Sequence, residues 1–172
     1  MYNFFNKTFL LIILTAFYLP INAEENKKNS IHQYNFYVGN FDFSDHKQKA
    51  ILFGFQHQNE TLERKLILGN ASPITGGFIT ENSAAYLYTG VEWNYDMGGK
   101  ITFTPSFTPG LYSAGDGKDL GHILEFKTEI QASYAISKDS RFGMSYNHIS
   151  NASLGDKNPG ANSYMVNYFK NF

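Results

Sequence analysis

The chain has 172 residues, enough for one domain, and carries a formal net charge of −1. It contains no cysteine, which excludes disulfide bonds, thiolate nucleophiles and zinc sites built on cysteine. No basic block extends beyond the pair Lys27 and Lys28, so the electrostatic attraction on which nucleic-acid binding depends is missing. Aromatic residues reach 17% of the chain, with 12 Tyr and 16 Phe, more than an ordinary soluble core uses.

The first 23 residues have the pattern of a secretory signal peptide. Lys7 supplies the positive charge, residues 9–18 form a short apolar stretch, and Ala23 ends a candidate cleavage site. The alternative is an uncleaved membrane anchor, but the apolar stretch is short for a helix that spans a bilayer. We therefore expect a signal peptide at residues 1–23 and one mature domain at residues 24–172.

Downstream of residue 23, apolar and polar residues alternate, which is the period of strands with two different sides. In chain order the alternation predicts eight strands, at residues 33–42, 49–58, 65–75, 84–95, 99–113, 120–136, 140–150 and 161–172. The sixth is the clearest, because Glu125, Lys127 and Glu129 alternate there with apolar or nearly apolar residues. Together with Glu92, these charges are expected to line the interior of a closed sheet.

Long strands with aromatic residues on one side and polar residues on the other predict an all-β fold, an eight-stranded antiparallel transmembrane β-barrel. The chain ends in an aromatic residue, Phe172, on an alternating strand, which resembles the assembly signal of bacterial outer-membrane barrels. The alternative is a soluble lipocalin-like barrel. With both termini on the periplasmic side, residues 43–48, 76–83, 114–119 and 151–160 become extracellular connections, and residues 95–100 and 137–140 become short turns.

The seventh strand carries the candidate catalytic residues. His148 and Ser150 continue the set of Phe142, Met144 and Tyr146, so their side chains are predicted to face lipid. Polar groups are out of place on that side unless they have a function. Residues two apart on a strand share a side, so a His148 base could activate a Ser150 nucleophile against an ester carbonyl. The alternative is an ordinary polar loop at the end of a strand.

The loop that follows could supply the remaining groups of an acyl-transfer site. A tetrahedral oxyanion needs hydrogen-bond donors, and the candidates are the Asn158 side chain and the backbone N–H groups after Asn151, those of Ala152 and Ser153. Asn162 lies an even number of residues before Tyr164, Val166 and Tyr168, which form the outward set of the eighth strand. It is therefore predicted to lie on the outer surface of the barrel.

At this point the residues resemble a known family. The segment HISNA at residues 148–152, followed by GDKNPG at residues 155–160, resembles the active-site signature of lipid A 3-O-deacylases, the PagL-like family often labelled acyloxyacyl hydrolase. The segment TPSFTPGLYSAGDGKDLGHILEFKTEI at residues 104–130 resembles that family's fifth and sixth strands and the loop between them. The resemblance covers roughly residues 85–172.

The resemblance implies an outer-membrane enzyme that hydrolyses the ester-linked acyl chain at position 3 of lipid A, in the outer leaflet, without a metal or cofactor. It implies His148 as base, Ser150 as nucleophile, Asn158 as oxyanion donor and Asn151 as a support of the loop. The expected partner is lipid A or lipopolysaccharide, and the protein is expected to be a monomer or a homodimer.

The chain departs from the family at one position. A glutamate of the triad is expected two residues after Gly160, where this chain has Asn162. An amide can accept a hydrogen bond from His148 but cannot stabilise an imidazolium by charge. A substitute acid would have to be Asp156 or come from another strand. Two further hypotheses stay open, a non-catalytic barrel that is structural or binds lipid, and an esterase that acts on another membrane lipid.

Metal binding is not indicated by the spacing of the remaining histidines, His32, His46, His57 and His122. The segment of residues 115–119 could order a headgroup or an ion, but a solvated turn is the more ordinary interpretation.

Overall fold

The computed structural model describes residues 32–45 and 48–172. The predicted signal peptide at residues 1–23 lies outside the described residues, as do residues 24–31 of the predicted mature domain. The described chain forms ten strands and one short 3-10 helix, Glu60–Leu62. The strands are β1 (His32–Phe41), β2 (Ala50–Asn59), β3 (Arg64–Leu66), β4 (Gly69–Thr80), β5 (Ala85–Trp93), β6 (Tyr95–Asp96), β7 (Ile101–Ser113), β8 (Leu124–Ala135), β9 (Ser140–Ser150) and β10 (Ala161–Asn171).

Eight long strands close into a barrel. Neighbouring strands pair antiparallel in the order β2-β1-β10-β9-β8-β7-β5-β4, and β2 also pairs with β4. That last pairing leaves no open edge among the long strands, which is how a sheet satisfies its backbone groups in a bilayer. The short strands β3 and β6 extend the sheet beside β4 and β7. The predicted eight-stranded antiparallel barrel is confirmed.

The two sides of the wall differ as the alternation predicts. Apolar and aromatic side chains are exposed on the outer side, among them Phe36, Phe53, Leu87, Leu111, Phe142, Met144 and Tyr164. The interior buries polar and charged side chains, among them Gln33, Asn35, Gln56, Gln58, Glu92, Glu125, Lys127, Gln131, Asn147 and Asn167. Inside, Lys127 Nζ lies 2.8 Å from Glu129 Oε2, and Gln56 Nε2 donates to Glu92 Oε2 at 2.8 Å. The predicted interior charges therefore lie inside.

One end of the barrel carries the connections at residues 42–45 with 48–49, 81–84, 114–123 and 151–160, and we call it the loop end. An apolar cluster fills the interior there, composed of Tyr37, Phe41, Leu52, Phe78, Ala84, Tyr86, Tyr88, Tyr112, Leu120, Ile149, Ala161 and Met165. Eight strands enclose just enough space for side chains, so the barrel is packed rather than open. Among the described residues, no helix is both long and apolar enough to cross a bilayer.

The third long strand, predicted at residues 65–75, starts and ends later than expected, at Gly69 and Thr80. Residues 64–70 form a hairpin, with Ile67 fully exposed at its tip and Gly69 at a φ of +111°, and the long strand β4 continues to Thr80. Residues 76–83 were predicted to be an extracellular connection, but Gly76 and Gly77 lie within β4. A Cβ built on Gly76 would lie 2.8 Å from the hydroxyl of Tyr88, so glycine at this position makes room for an inward ring.

The other strand boundaries differ by a few residues. The sixth predicted strand begins at Leu124 instead of residue 120, because residues 120–123 belong to the loop before β8. Leu120 is fully buried there, so an apolar residue that looked like part of a strand anchors a loop. The strand predicted over residues 84–95 ends at Trp93, and a further short strand, β6, follows it.

Candidate active site

His148 and Asn162 stand directly opposite each other at the loop end. They are Cα partners in the antiparallel pairing of β9 and β10. Their neighbours Asn147, Ile149, Ala161 and Ser163 are buried, whereas His148 is exposed and Asn162 half-buried. Both side chains therefore lie on the outer side of the barrel. His148 Nδ1 is 2.8 Å from Asn162 Oδ1, which is a short hydrogen bond.

Asn162 is the centre of a wider hydrogen-bond network. Its Oδ1 also accepts a hydrogen bond from the Tyr146 hydroxyl at 2.9 Å, and its Nδ2 donates to Ser44 Oγ at 3.3 Å. Its backbone N–H donates to Asp42 Oδ1 at 3.3 Å, and its backbone oxygen accepts from Phe43 N at 3.0 Å. An amide oxygen that accepts two donors is held in one orientation. The network therefore fixes the side of Asn162 that meets His148.

Ser150 lies two residues beyond His148 on the same side of β9 and is half-buried. The two side chains lie on one side of the strand, but no hydrogen bond joins Ser150 to His148 among the described residues. Gly160 borders the pair with a φ of +62°. A Cβ built on it would lie 2.9 Å from Cε1 and 3.5 Å from Nε2 of His148. Glycine at this position therefore keeps the Nε2 edge of the imidazole clear.

Asn151 ties the loop that follows the pair to a neighbouring loop. Its buried Nδ2 donates to the Leu120 backbone oxygen at 2.8 Å and to the Lys157 backbone oxygen at 2.9 Å. Its backbone N–H donates to Asn158 Oδ1 at 3.1 Å, so Asn158 Nδ2 points away from that bond. In this way Asn151 connects the β7–β8 loop to the β9–β10 loop beside Ser150.

Ala152 and Ser153 both have left-handed backbones, with φ values of +52° and +63°. Both residues are exposed, and within the described chain neither backbone N–H has a hydrogen-bond partner. Two consecutive amides in the loop after Ser150 are thus free to donate to a bound group. Donors of this kind can stabilise a negative oxygen.

A family comparison identifies the chain. A model described as Lipid A 3-O-deacylase (PagL) matches residues 33–171. The chain belongs to this family. The resemblance carried by residues 85–172 is thereby confirmed and extends over the first strands. The comparison with curated proteins found no match.

Solved structures agree on the architecture. The crystal structure of the outer membrane enzyme PagL has a TM-score of 0.60 and 19% identity, covering 80% of this chain and 98% of that one. A de novo designed transmembrane β-barrel has a TM-score of 0.55 and 11% identity, with coverages of 86% and 99%. Neisserial surface protein A has a TM-score of 0.53 and 10% identity, with coverages of 84% and 98%. The fold is that of an outer-membrane barrel, and the lipocalin-like alternative is set aside.

The partner of His148 is the neutral Asn162, where the family resemblance led us to expect a glutamate. The residues around Asn162 were not predicted from the sequence. Tyr146 could have been found, because it shares the outer side of β9 with His148. Asp42 and Ser44 are about 120 positions away in the chain. Only barrel closure, which pairs β1 with β10, brings their loop to Asn162.

Ion pairs tie the loop of residues 114–123 to two other loops, the β9–β10 loop beside it and the β1–β2 loop on the opposite side of the barrel. Lys118 Nζ lies 2.5 Å from Asp42 Oδ2, and Lys157 Nζ lies 2.7 Å from Asp119 Oδ2. The hydrogen bond from Lys157, together with one from the Gly121 backbone N–H, lowers the pKa of Asp119. The segment of residues 115–119, expected as a solvated turn or as a site for a headgroup or an ion, contains a largely exposed turn, and its residues Lys118 and Asp119 join it to the two other loops.

A shallow apolar groove runs along the outer wall beside the site. It has a volume of about 270 Å³ and is lined mainly by Phe103, Ile130, Ala132, Met144, Tyr146 and Tyr164. Tyr146 therefore belongs both to the groove and to the network around Asn162. No group of three or more His, Asp or Glu side chains within residues 32–45 and 48–172 is arranged to hold a metal ion. His32 and His57 lie side by side, with Nδ1 and Nε2 2.9 Å apart.

Proposed function

We propose that this chain hydrolyses the ester-linked 3-O-acyl chain of lipid A, with Ser150 as nucleophile, His148 as base and Asn162 as the residue that orients His148. The observation that carries the proposal is the 2.8 Å hydrogen bond between His148 Nδ1 and Asn162 Oδ1 on the outer side of the barrel. An amide oxygen only accepts hydrogen bonds, so the bond requires the proton on Nδ1. The lone pair of Nε2 is then available as a base.

The reaction proceeds by acyl transfer in two halves. His148 Nε2 takes the proton of the Ser150 hydroxyl while Oγ bonds to the ester carbonyl carbon, and the carbonyl oxygen becomes an oxyanion. Collapse breaks the bond to the sugar oxygen, which takes the proton from His148. Water then attacks the acyl-serine with His148 again as base, which releases the fatty acid and restores Ser150. Rotation about the Cα–Cβ bond of Ser150 brings Oγ to Nε2 when substrate binds, since catalytic hydrogen bonds often tighten only in the complex.

The oxyanion is stabilised by donors that the β9–β10 loop holds ready. These are Asn158 Nδ2 and the free backbone amides of Ala152 and Ser153. Asn151 acts indirectly, because its buried side chain fixes the loop that carries all three. Preorganised donors need no rearrangement when charge develops, which is why they lower the barrier to reaction.

The substrate is proposed to reach the site from the outer leaflet. The site lies on the outer side of the barrel, where the side chains below it are apolar. The groove beside Tyr146 offers an apolar surface of suitable shape for an acyl chain, while the polar headgroup would lie level with the loop end. Burial of a single CH₂ group contributes about 0.8 kcal/mol, so a chain of several such groups would anchor the ester at Ser150.

The test is deacylation of lipid A by the purified barrel, followed by mass spectrometry. Wild type should remove one acyl chain, and Ser150→Ala should remove none. Thr75→Ala is the matched control, because Thr75 is an exposed hydroxyl on β4, four strands from β9 in either direction round the barrel. Identical spectra for wild type and Ser150→Ala would refute the mechanism.

A second candidate function is a non-catalytic barrel that has kept the fold of the enzyme. The neutral Asn162 favours it, because this residue cannot balance the charge of an imidazolium. Inactivity of the wild type on lipid A and on a panel of phospholipids would support this alternative. Hydrolysis of a phospholipid alone would instead support an esterase that acts on another membrane lipid.

A further inference from the structure

Asn162 leaves His148 without an adjacent carboxylate, but a carboxylate lies two hydrogen bonds behind the amide. Asn162 Nδ2 donates to Ser44 Oγ at 3.3 Å, and Ser44 Oγ donates to Asp42 Oδ1 at 3.0 Å. The path from the base therefore runs from His148 through Asn162 and Ser44 to Asp42. Every bond along it has its donor on the side of His148 and its acceptor on the side of Asp42.

This common direction makes the hydrogen bonds reinforce one another. A negative charge on Asp42 polarises the Ser44 hydroxyl, which becomes a better acceptor for the amide N–H of Asn162. Withdrawal of that proton toward Ser44 enriches the electron density on the amide oxygen, because nitrogen and oxygen share one π system. The amide oxygen becomes a stronger acceptor for Nδ1–H of His148, as expected for a cooperative chain of hydrogen bonds.

The negative charge of Asp42 faces Asn162 through Oδ1, and the positive charge of Lys118 lies on the far side of the carboxylate. Lys118 Nζ binds the far oxygen of Asp42, Oδ2, at 2.5 Å and lies 3.7 Å from Asp45 Oδ2. These three side chains together carry one positive and two negative charges. Asp42 is fully buried, so its charge is screened less than that of an exposed carboxylate.

The loop that carries the carboxylate is also held in place. Asp42 has a left-handed backbone with a φ of +49°, a conformation that non-glycine residues rarely adopt. The next residue, Phe43, stacks on Tyr164 with ring centroids 4.2 Å apart, and its backbone N–H binds the backbone oxygen of Asn162. Contacts between the loop after β1 and strand β10 thus hold Asp42 next to Asn162.

We propose that Asp42 is a positioning residue of this site, which supplies the missing negative charge to His148 through Ser44 and Asn162. The inference rests on the proposed function, but the hydrogen-bond path exists whether or not lipid A is the substrate. Other acids fit less well. Asp156 is exposed and has no hydrogen bond or ion pair within the described chain, and Glu125 lies inside the barrel, across the wall from His148.

The kinetic test removes the Ser44 hydroxyl, which lies in the middle of the hydrogen-bond path from His148 to Asp42. Ser44 is exposed, so Ser44→Ala should fold, and it should lower kcat about tenfold, the effect of one hydrogen bond of about 1.4 kcal/mol, with KM little changed. Ser44→Thr retains a hydroxyl and should restore most of the rate. Asp42→Asn should match Ser44→Ala, whereas Asp156→Asn, the matched control, should behave as wild type.

Repeating Ser44→Ala in the Asn162→Glu variant distinguishes a positioning role of the hydrogen-bond path from a merely structural one. In Asn162→Glu a carboxylate contacts His148 directly, so Ser44→Ala should then change kcat less than about threefold. Equal losses from Ser44→Ala in the two backgrounds, or no loss in wild type, would overturn the inference.

A readout without substrate distinguishes failure of this inference from failure of the proposed function. Imidazole ¹⁵N NMR of His148 in the folded barrel reports the fraction of the Nδ1–H tautomer. Wild type should be mainly Nδ1–H, and Ser44→Ala and Asp42→Asn should both lower that fraction, whereas Asp156→Asn should not. An unchanged tautomer in all three variants would overturn the path from Asp42. A changed tautomer in an enzyme inactive on every lipid would refute only the proposed function.

Discussion

His148 Nδ1 lies 2.8 Å from Asn162 Oδ1 across directly opposed positions of β9 and β10. The proposed base is thus paired with an amide in place of a carboxylate. The bond fixes the tautomer of His148 without contributing a full charge.

Asn162→Glu should therefore increase kcat by about tenfold, because a charge-assisted hydrogen bond is roughly twice as strong as a neutral one. The measurement is initial-rate deacylation of lipid A, with Asn162→Gln as the neutral control of equal length. A rate at or below that of wild type would show that the site is built around the amide.

Gly160→Ala should lower kcat more than tenfold, because the added Cβ would lie 2.9 Å from His148 Cε1 and displace the imidazole. The left-handed backbone adds a cost of about 1–2 kcal/mol. Gly99→Ala is the matched control, since Gly99 has a φ of +59° and no heavy atom within 4 Å of the position that a Cβ would take. An equal loss of activity in the two variants would show that strain, and not contact with His148, is responsible.

Asn151→Ala should loosen the two loops that Asn151 connects. The change removes two hydrogen bonds and leaves the Leu120 and Lys157 carbonyls without these donors, at a cost of about 1–3 kcal/mol for the buried bond to Leu120. Hydrogen–deuterium exchange should rise in residues 114–123 and 151–160, and exchange in β1 and β2 should stay unchanged. Activity should fall with the loss of loop order. Unchanged exchange in both loops would contradict this role.

The ion pair between Asp119 and Lys157 should make the same loops sensitive to acid. The folded-state pKa of Asp119 is lowered from its ordinary value of 3.8 by the Lys157 and Gly121 hydrogen bonds. Its stabilising effect is therefore fully present above pH 3.8 and is lost as the pH falls through the lowered pKa. Loop exchange, corrected for intrinsic rates, should rise in that window for wild type. Lys157→Gln should reduce the change, and an identical profile would contradict the assignment.

Lys127→Met should destabilise the barrel by about 3–5 kcal/mol, because it leaves the Glu129 carboxylate inside without its cation. The Lys127 ammonium lies 2.8 Å from Glu129 Oε2 and 4.2 Å from the centre of the Tyr88 ring. Urea unfolding in detergent micelles measures the loss. The double variant Lys127→Met with Glu129→Gln is the control and should recover most of the stability. No recovery would show that packing of Lys127 matters more than its charge.

Strand parity predicted much of this molecule. Alternation along β8 and β9 is enough to place Lys127 inside and His148 outside, because the period of a strand is fixed at two residues. The predicted end of the third strand was wrong at Gly76. Glycine is typical of loops, but here it lies within β4 and makes room for Tyr88. The alternation of residues along one strand does not reveal which side chain of another strand, here the Tyr88 ring, will need the space beside a glycine.

The candidate site was predicted in part for the same reason. His148, Ser150 and Asn162 share the outer side, and parity reveals that. Asp42 and Ser44 meet Asn162 through closure of β1 on β10, a contact between the two ends of the described chain. The left-handed backbone of Asp42 and the loop register that aims its carboxylate have no signature in a period-two pattern.

The outward position of His148 and Ser150 has a kinetic consequence. For side chains that face a bilayer, the substrate is counted per unit area of membrane, and its concentration in the surrounding water is irrelevant. Turnover in mixed micelles should thus follow the mole fraction of substrate lipid in the micelle, and adding inert detergent should slow the reaction without any change in the protein.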